Sequence, residues 1–141
     1  MVIRHYEPAD DAAVAALLIE MGYSTSPQSA GRFAADFVAR GDTSLLVATI
    51  DGEIAGLIAT CLVPRLDEAW LSCRITDLVV ATSRRRQGIG RSLVQAAEAS
   101  ARTAGATRLD LSTGDWRSDA HAFYESMGFT DNARALTRHL G

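Results

Sequence analysis

Three strand-like runs follow one another with no helix between them: Leu45 to Ile50, Glu53 to Val63 and Trp70 to Val80. The first two are separated by Asp51-Gly52, the strongest short hairpin signal a sequence carries. A doubly wound parallel sheet alternates strands with helices throughout, and this succession excludes it. Three consecutive antiparallel strands are the economical reading, with the Pro64 to Glu68 segment as the second turn.

The flanks supply the rest of the order. Val2 to Tyr6 is a short strand closed by Pro8, and a helix begins at Asp10, with Val14, Leu17, Leu18 and Met21 at helical spacing and Gly22 as its stop. Ser26-Pro27 resembles an N-cap followed by proline at the first helical position. Phe33, Phe37 and Val38 mark the buried face of this second helix, which ends at Gly41. After the third central strand, Ile89, Leu93, Val94, Ala97 and Ala101 form an apolar stripe opposite Arg91, Gln95, Glu98 and Arg102, and Gly105 ends that helix. Arg108 to Thr113 reads as a strand. Asp119 to Met127 reads as a short helix burying Ala120, Phe123 and Met127, with Gly128 in the C′ position. Phe129 to His139 supplies one or two final strands. The expected architecture is a mixed α/β (α+β) sheet in the order βααβββαβα plus terminal β, forming one domain over residues 1–141.

Composition narrows the function. The formal net charge is −3, so any anion site must be local. All 14 basic residues are arginine, and without lysine neither a GxxxxGK[ST] phosphate loop nor a catalytic Schiff base is available. Cys61 and Cys73 fall in or near strand-like runs at a spacing that suggests neither a disulfide framework nor a metal site. His5, His121 and His139 match no ligand pattern, so no metal is expected. Arg4, Glu7, Asp10 and Asp11 interrupt the N-terminus, which argues against a secretory leader. The longest uncharged apolar run, Ile54 to Val63, is too short to span a bilayer. No basic face with interleaved aromatics points to nucleic acid. A soluble, cytoplasmic protein without membrane or nucleic-acid partners is expected.

The link from Val80 into the striped helix reads Thr82-Ser83-Arg84-Arg85-Arg86-Gln87-Gly88-Ile89-Gly90-Arg91. A helix N-terminus carries about half a positive charge and favours acidic neighbours, yet three arginines stand here. Gly88 and Gly90 fall in the first turn, each costing about 0.5–1 kcal/mol relative to alanine. A bound anion removes both conflicts: helix amides point at it, glycines permit close approach and arginines neutralise it. A charge run alone would read as a solvated turn. In combination with the strand, the glycines and the amphipathic helix it points to a diphosphate. The dinucleotide fingerprint GxGxxG would need a third glycine where Leu93 stands; Asp110 lies near the distance at which that fingerprint wants an acid, but the three successive strands rule the fold out.

These residues resemble the GNAT superfamily of acyl-CoA-dependent N-acetyltransferases. Arg85-Arg86-Gln87-Gly88-Ile89-Gly90 fits the family signature Q/R-x-x-G-x-G/A, Asp77-Leu78-Val79-Val80 matches the strand before it, and Ala120 to Phe129 is similar to the A-x-x-F-Y-E-x-x-G-F segment. The resemblance implies acetyl-CoA as the acetyl donor, transferred to a primary amine. It implies that Leu78 and Val80, on a strand that includes Val79, hydrogen-bond the pantetheine arm through their backbones. Amides from Gln87 through Ser92, including Gly88, Ile89, Gly90 and Arg91, would hold the pyrophosphate, with Arg85 and Arg86 beside phosphates. Tyr124 would be the general acid that protonates the departing thiolate. Many relatives carry Asn where this chain has Arg117, which would then reach the cofactor or the substrate. Relatives are often dimers, so a homodimer is an expectation by analogy.

The chemistry needs a neutral amine and a proton for the thiolate. A tyrosine, with an ordinary pKa of about 10, stays protonated near pH 7. Asp77 is a candidate base, on the face of its strand opposite Leu78; Glu20, Glu68 and water chains are alternatives, and His121, one turn from Tyr124, could also face the site. The substrate classes left open are a small-molecule amine and a protein or peptide amine. A non-catalytic acyl-CoA-binding module on the same fold is the reading from another class.

Overall fold

The computed structural model describes residues 1–23, 25–67, 70–112, 118–132 and 135–141. Its contacts group the chain into two compact units, Met1–Asp110 and Leu111–Gly141. The first contains β1 (Val2–His5), a 3-10 turn at Pro8–Asp10, α1 (Asp11–Glu20), α2 (Pro27–Val38), β2 (Thr43–Ile50), β3 (Glu53–Arg65), β4 (Trp70–Val80) and α3 (Ile89–Thr103). β5 (Arg108–Leu111) ends at the boundary. The strands form one five-stranded mixed sheet in the order β1-β2-β3-β4-β5, and β1 to β4 are antiparallel neighbours.

The hairpin between β2 and β3 closes through Asp51 (φ 52°) and Gly52 (φ 81°). Positive φ at both central positions is the type I′ turn that Asp-Gly favours. β3 runs two residues beyond the expected Val63, because Pro64 and Arg65 still pair with Leu71 and Trp70. A proline at a strand end costs no more than its own missing donor. Trp70 is flanked by Arg65 and Arg108, whose guanidinium carbons stand 5.1 and 4.7 Å from its ring centroid.

Helices cover both faces of the sheet. Val14 and Leu17 of α1 and Ala34 of α2 pack with Leu45, Val47, Leu57, Ala59 and Val79 in one buried cluster. On the other face, the expected stripe of α3 is buried in full: Ile89, Leu93, Val94, Ala97 and Ala101. The approach there is close. A Cβ on Gly56 would lie 2.9 Å from the Val79 carbonyl oxygen and 3.2 Å from both Ile89 Cγ2 and Leu93 Cδ1.

Near the N-terminus, Asp10 belongs to the 3-10 turn, and α1 starts one residue later. Asp10 is buried and takes two bonds from Arg4, Nη1 to Oδ2 at 2.8 Å and Nη2 to Oδ1 at 2.9 Å, plus the Glu7 amide at 2.8 Å. The Arg4 guanidinium holds its carboxyl below the usual carboxylate range. Next to it, the Tyr6 hydroxyl donates to Asp11 Oδ1. Burial, reinforced by that carboxylate, pushes the Tyr6 pKa up to about 12.

The inward face of α2 differs from expectation. Ser26 caps the helix by accepting from the Ser29 amide at 3.1 Å, with Pro27 first, but the buried residues are Ala30 and Ala34. Phe37 packs partly against the core, while Phe33 and Val38 are 68% and 41% exposed. Gly31 also faces α1, where the Asp11 carboxylate occupies the place its Cβ would take. Ala30 and Ala34, with Phe37 partly buried, form the inward stripe, and Phe33 lies outside it.

In the second unit, α4 (Ser118–Ser126) ends with Gly128 at φ 92°, a left-handed C-terminal stop. Tyr124 makes edge contacts with Phe123 and Phe129, ring centroids 5.2 and 5.6 Å apart. The terminal strands expected from Phe129 to His139 are not formed among the described residues. Asp131-Asn132 are poor strand formers, and Leu136 and Leu140 are 93% and 91% exposed, so burial gives this segment no reason to extend.

Candidate active site

The segment after β4 makes a short 3-10 turn at Thr82–Arg84, and Arg85 is extended. Arg86 then adopts φ 64°, a left-handed conformation that costs a non-glycine residue about 1–2 kcal/mol. Gly88, at φ 79°, is the N-cap of α3, and nothing lies within 4 Å of the place its Cβ would occupy. No side chain caps this terminus and no acid stands in its first turn. The Ser92 amide is committed to the Gly88 carbonyl at 3.0 Å. Of the amides expected to face an anion, those of Ile89 and Gly90 precede that first helical bond and have no intrahelical acceptor. Residues 85–88 are exposed. A left-handed Arg86 and an uncapped, glycine-led helix terminus thus stand beside the exposed Arg85 and Arg86, a combination that suits a phosphate-bearing ligand.

Glu20, at the end of α1, reaches this segment. Its Oε1 accepts the Thr82 amide at 2.7 Å, and hydrogen bonding by the Thr82 hydroxyl and then that amide, with Arg85 nearby, holds its carboxyl below the usual range. Arg85 Nη2 lies 3.7 Å from Met21 Sδ. A carboxylate so engaged is a weak proton acceptor, which counts against Glu20 as the base.

Asp77 owes its position to a β-bulge. Ala59 pairs with Asp77 but Thr60 pairs with Ile75, so Thr76 is the extra residue. Asp77 therefore shares the face of Ala59 and Val79, beneath α1 and α2, whereas Leu78 sits opposite Ile58 on the face of Gly56 and α3. On the Asp77 face a pocket of about 160 Å³ opens, walled by Val14 and Leu18 of α1, Phe33, Ala34 and Phe37 of α2, and Asp77. Among the described residues, Asp77 is the one charged group on its walls.

At the end of β4, Leu78, Val79 and Val80 pair with Ile58, Leu57 and Gly56. β5 starts beside Leu71, to whose carbonyl Thr107 donates at 2.9 Å, and is only four residues long against the eleven of β4. It accompanies the first half of β4, so β3 is the strand neighbour of Leu78–Val80 among the described strands. Among the described strands, none pairs with the other backbone edge of Leu78–Val80. Asp110 is engaged elsewhere: it accepts from Ser72 Oγ and pairs with Arg108 at 2.9 Å.

The sequence-derived residues thus fall in two groups. The first unit brings together Asp77, Leu78, Val79, Val80 and the segment Arg85 to Ser92 along β4 and the start of α3. Tyr124 belongs to the second unit, half-buried between two phenylalanine rings; His121, on the same helix, is half-buried with no partner for Nε2 among the described residues. Glu68 and Arg117 lie outside the described residues. The pocket walls and the Glu20–Thr82 bond were not singled out by sequence reasoning. The walls read as ordinary core spacing, and a bond across 62 residues leaves no local pattern.

Comparison with known proteins bears on this arrangement. Residues 12–129 match the model of the acetyltransferase (GNAT) family. An aminoalkylphosphonate N-acetyltransferase of Salmonella typhimurium is 34% identical over 141 residues, covering 98% of this chain and 90% of the relative. Among solved structures, a putative acetyltransferase from Agrobacterium tumefaciens superposes with a TM-score of 0.86 at 28% identity, and a transcriptional regulator from Bacillus halodurans with 0.89 at 26%. Each covers 99% of both chains.

Proposed function

This chain belongs to the acetyltransferase (GNAT) family and is an N-acetyltransferase; on that premise we propose that it moves the acetyl group of acetyl-CoA to a primary amine of a small molecule, by direct attack within a ternary complex. The observation that carries the donor assignment is the cradle at the start of α3, an uncapped glycine-led helix terminus with Arg85 and Arg86 exposed around it. The Salmonella relative's small-molecule amine substrate supports the acceptor class.

When bound, acetyl-CoA supplies an acetyl thioester. In this reading the backbone edge at Leu78–Val80 holds the pantetheine arm, and the amides from Gln87 to Gly90 with Arg85 and Arg86 hold the phosphates. Arg91, Ser92 and Arg117 are further candidates for cofactor contact. Asp77 receives a proton from the acceptor's ammonium, leaving a neutral amine to attack. As the new C–N bond forms and the C–S bond breaks, Tyr124 would give its proton to the departing sulfur, and the second proton shed by the acylated nitrogen would pass through solvent to restore the Tyr124 hydroxyl. The two units act as one domain over residues 1–141. No helix among the described residues is long and apolar enough to cross a membrane. We place the protein in the cytoplasm, with no nucleic-acid or membrane partner and no metal, and with a homodimer expected by analogy.

The pocket's volume of about 160 Å³ favours a small molecule over a peptide amine. The Bacillus neighbour, a transcriptional regulator, lends support to a second reading, an acyl-CoA-binding module without turnover. Thermal unfolding with acetyl-CoA tests the donor site: a ligand at a hundred times its Kd stabilises the fold by about 2.7 kcal/mol. Wild type should show the rise and a folded Gly88→Val variant should lose it. No rise for wild type at millimolar acetyl-CoA would overturn the donor assignment.

A further inference from the structure

We infer that the acceptor is a compact primary amine with an uncharged aliphatic or aromatic body, its ammonium at Asp77 and its body inside the pocket between α1 and α2. The inference rests on the acetyl-transfer reading above and narrows its substrate class. The pocket supplies the evidence. Val14, Leu18, Phe33, Ala34 and Phe37 present no hydrogen-bonding side chain, and the carboxylate of Asp77 is solvent-exposed on the sheet side. A carboxylate at the mouth of an otherwise apolar chamber is complementary to a cation with a greasy tail. It is a poor match to two other kinds of amine. A polyhydroxylated amine would lose water from each hydroxyl without a replacement partner. An amine carrying a carboxylate or phosphonate would bring that anion into a pocket where, among the described residues, the walls offer no cation and the one charge is negative.

Size sets a second limit. An apolar protein cavity of about 150 Å³ accommodates benzene, so a chamber of about 160 Å³ takes one aromatic ring or a chain of about five or six carbons. Asp77 immediately precedes Leu78, where the pantetheine arm is placed in the reading above, so the partner of the ammonium is next in the chain to that of the donor.

Steady-state thiol release with a homologous series of n-alkylamines, phenethylamine, 2-aminoethylphosphonate and an aminoglycoside tests this. With full-length protein, kcat/KM should rise about three- to fourfold per added methylene, up to about pentylamine, and then level off or fall. Pentylamine or phenethylamine should exceed 2-aminoethylphosphonate and the aminoglycoside by at least about tenfold. Ala34→Leu, which fills part of the chamber, should shift the optimum to a shorter chain, and acetyl-CoA-dependent thermal stabilisation confirms that this variant is folded. Asp77→Asn should raise KM for every alkylamine. The inference is overturned if the phosphonate or aminoglycoside is preferred, if chain length has no effect, or if acetyl-CoA stabilises the protein and none of the alkylamines is acetylated. In each of those cases the acetyl-CoA site survives. Absence of any acetyl-CoA stabilisation defeats the underlying reading instead, and the inference with it.

Discussion

Glu20 accepts the backbone N–H of Thr82 at 2.7 Å, tying the last residue of α1 to the first residue of the arginine-rich segment. One end of α1 thus anchors the cradle while its middle, at Val14 and Leu18, walls the pocket. Glu20→Ala should lower the melting temperature, and Glu20→Gln, which keeps an acceptor for the amide, should lower it less. The sign with pH follows from the depressed Glu20 pKa: its contribution is present above the ordinary glutamate value of about 4.3 and is lost as pH falls through the lowered value. Melting curves of the wild type and Glu20→Ala should therefore converge in acid.

Gly31 leaves room for the Asp11 carboxylate, and alanine there would place a carbon against Oδ2. Gly31→Ala displaces the Asp11 carboxylate from the Tyr6 hydroxyl and should destabilise the fold by about 1 kcal/mol, the net worth of one hydrogen bond. In an Asp11→Ala background the same change should be neutral or stabilising, because alanine is the better helix former by about 1 kcal/mol. Denaturant titrations of the four proteins give the coupling directly.

Tyr6 provides a check at high pH. Its pKa, raised to about 12, means that its stabilising share is complete below the ordinary tyrosine value of about 10 and disappears as pH climbs through 12. Tyr6→Phe should remove that alkaline decline while costing about 1 kcal/mol at neutral pH.

Tyr124→Phe keeps the ring that packs between Phe123 and Phe129 and removes only the hydroxyl. If Tyr124 protonates the leaving sulfur, acetyl-CoA binding should hardly change while kcat and kcat/KM fall together by about 10²–10⁴-fold. A residue that merely packs would show near-normal turnover and a lower melting temperature, by about 1 kcal/mol.

Much of the frame was legible because its signals are local. Asp51-Gly52 adopts the pair of positive φ angles that its composition demands, and every residue of the α3 stripe is buried. The glycine and arginine segment sits between strand and helix as its spacing required. What escaped depends on distance in space. Phe33 is at helical spacing from Phe37 yet exposed, because Ala30 and Ala34 take the buried positions of α2. The bulge at Thr76 turns on a register slip between two strands, and no alternation within β4 announces it. The left-handed Arg86 is invisible as well, since nothing distinguishes the third arginine of a run from the first two.

The central claim is catalytic acetyl transfer, and the most direct measurement follows both products at once. Protein is incubated with acetyl-CoA and a panel of small primary amines, neutral, zwitterionic and phosphonate-bearing, while free thiol and acetylated amine are quantified together. The account predicts that the two appear one for one with at least one amine, and that Tyr124→Phe and Asp77→Asn slow both. Stabilisation by acetyl-CoA with no acetylated product from any amine would contradict it and identify the chain as a binding module.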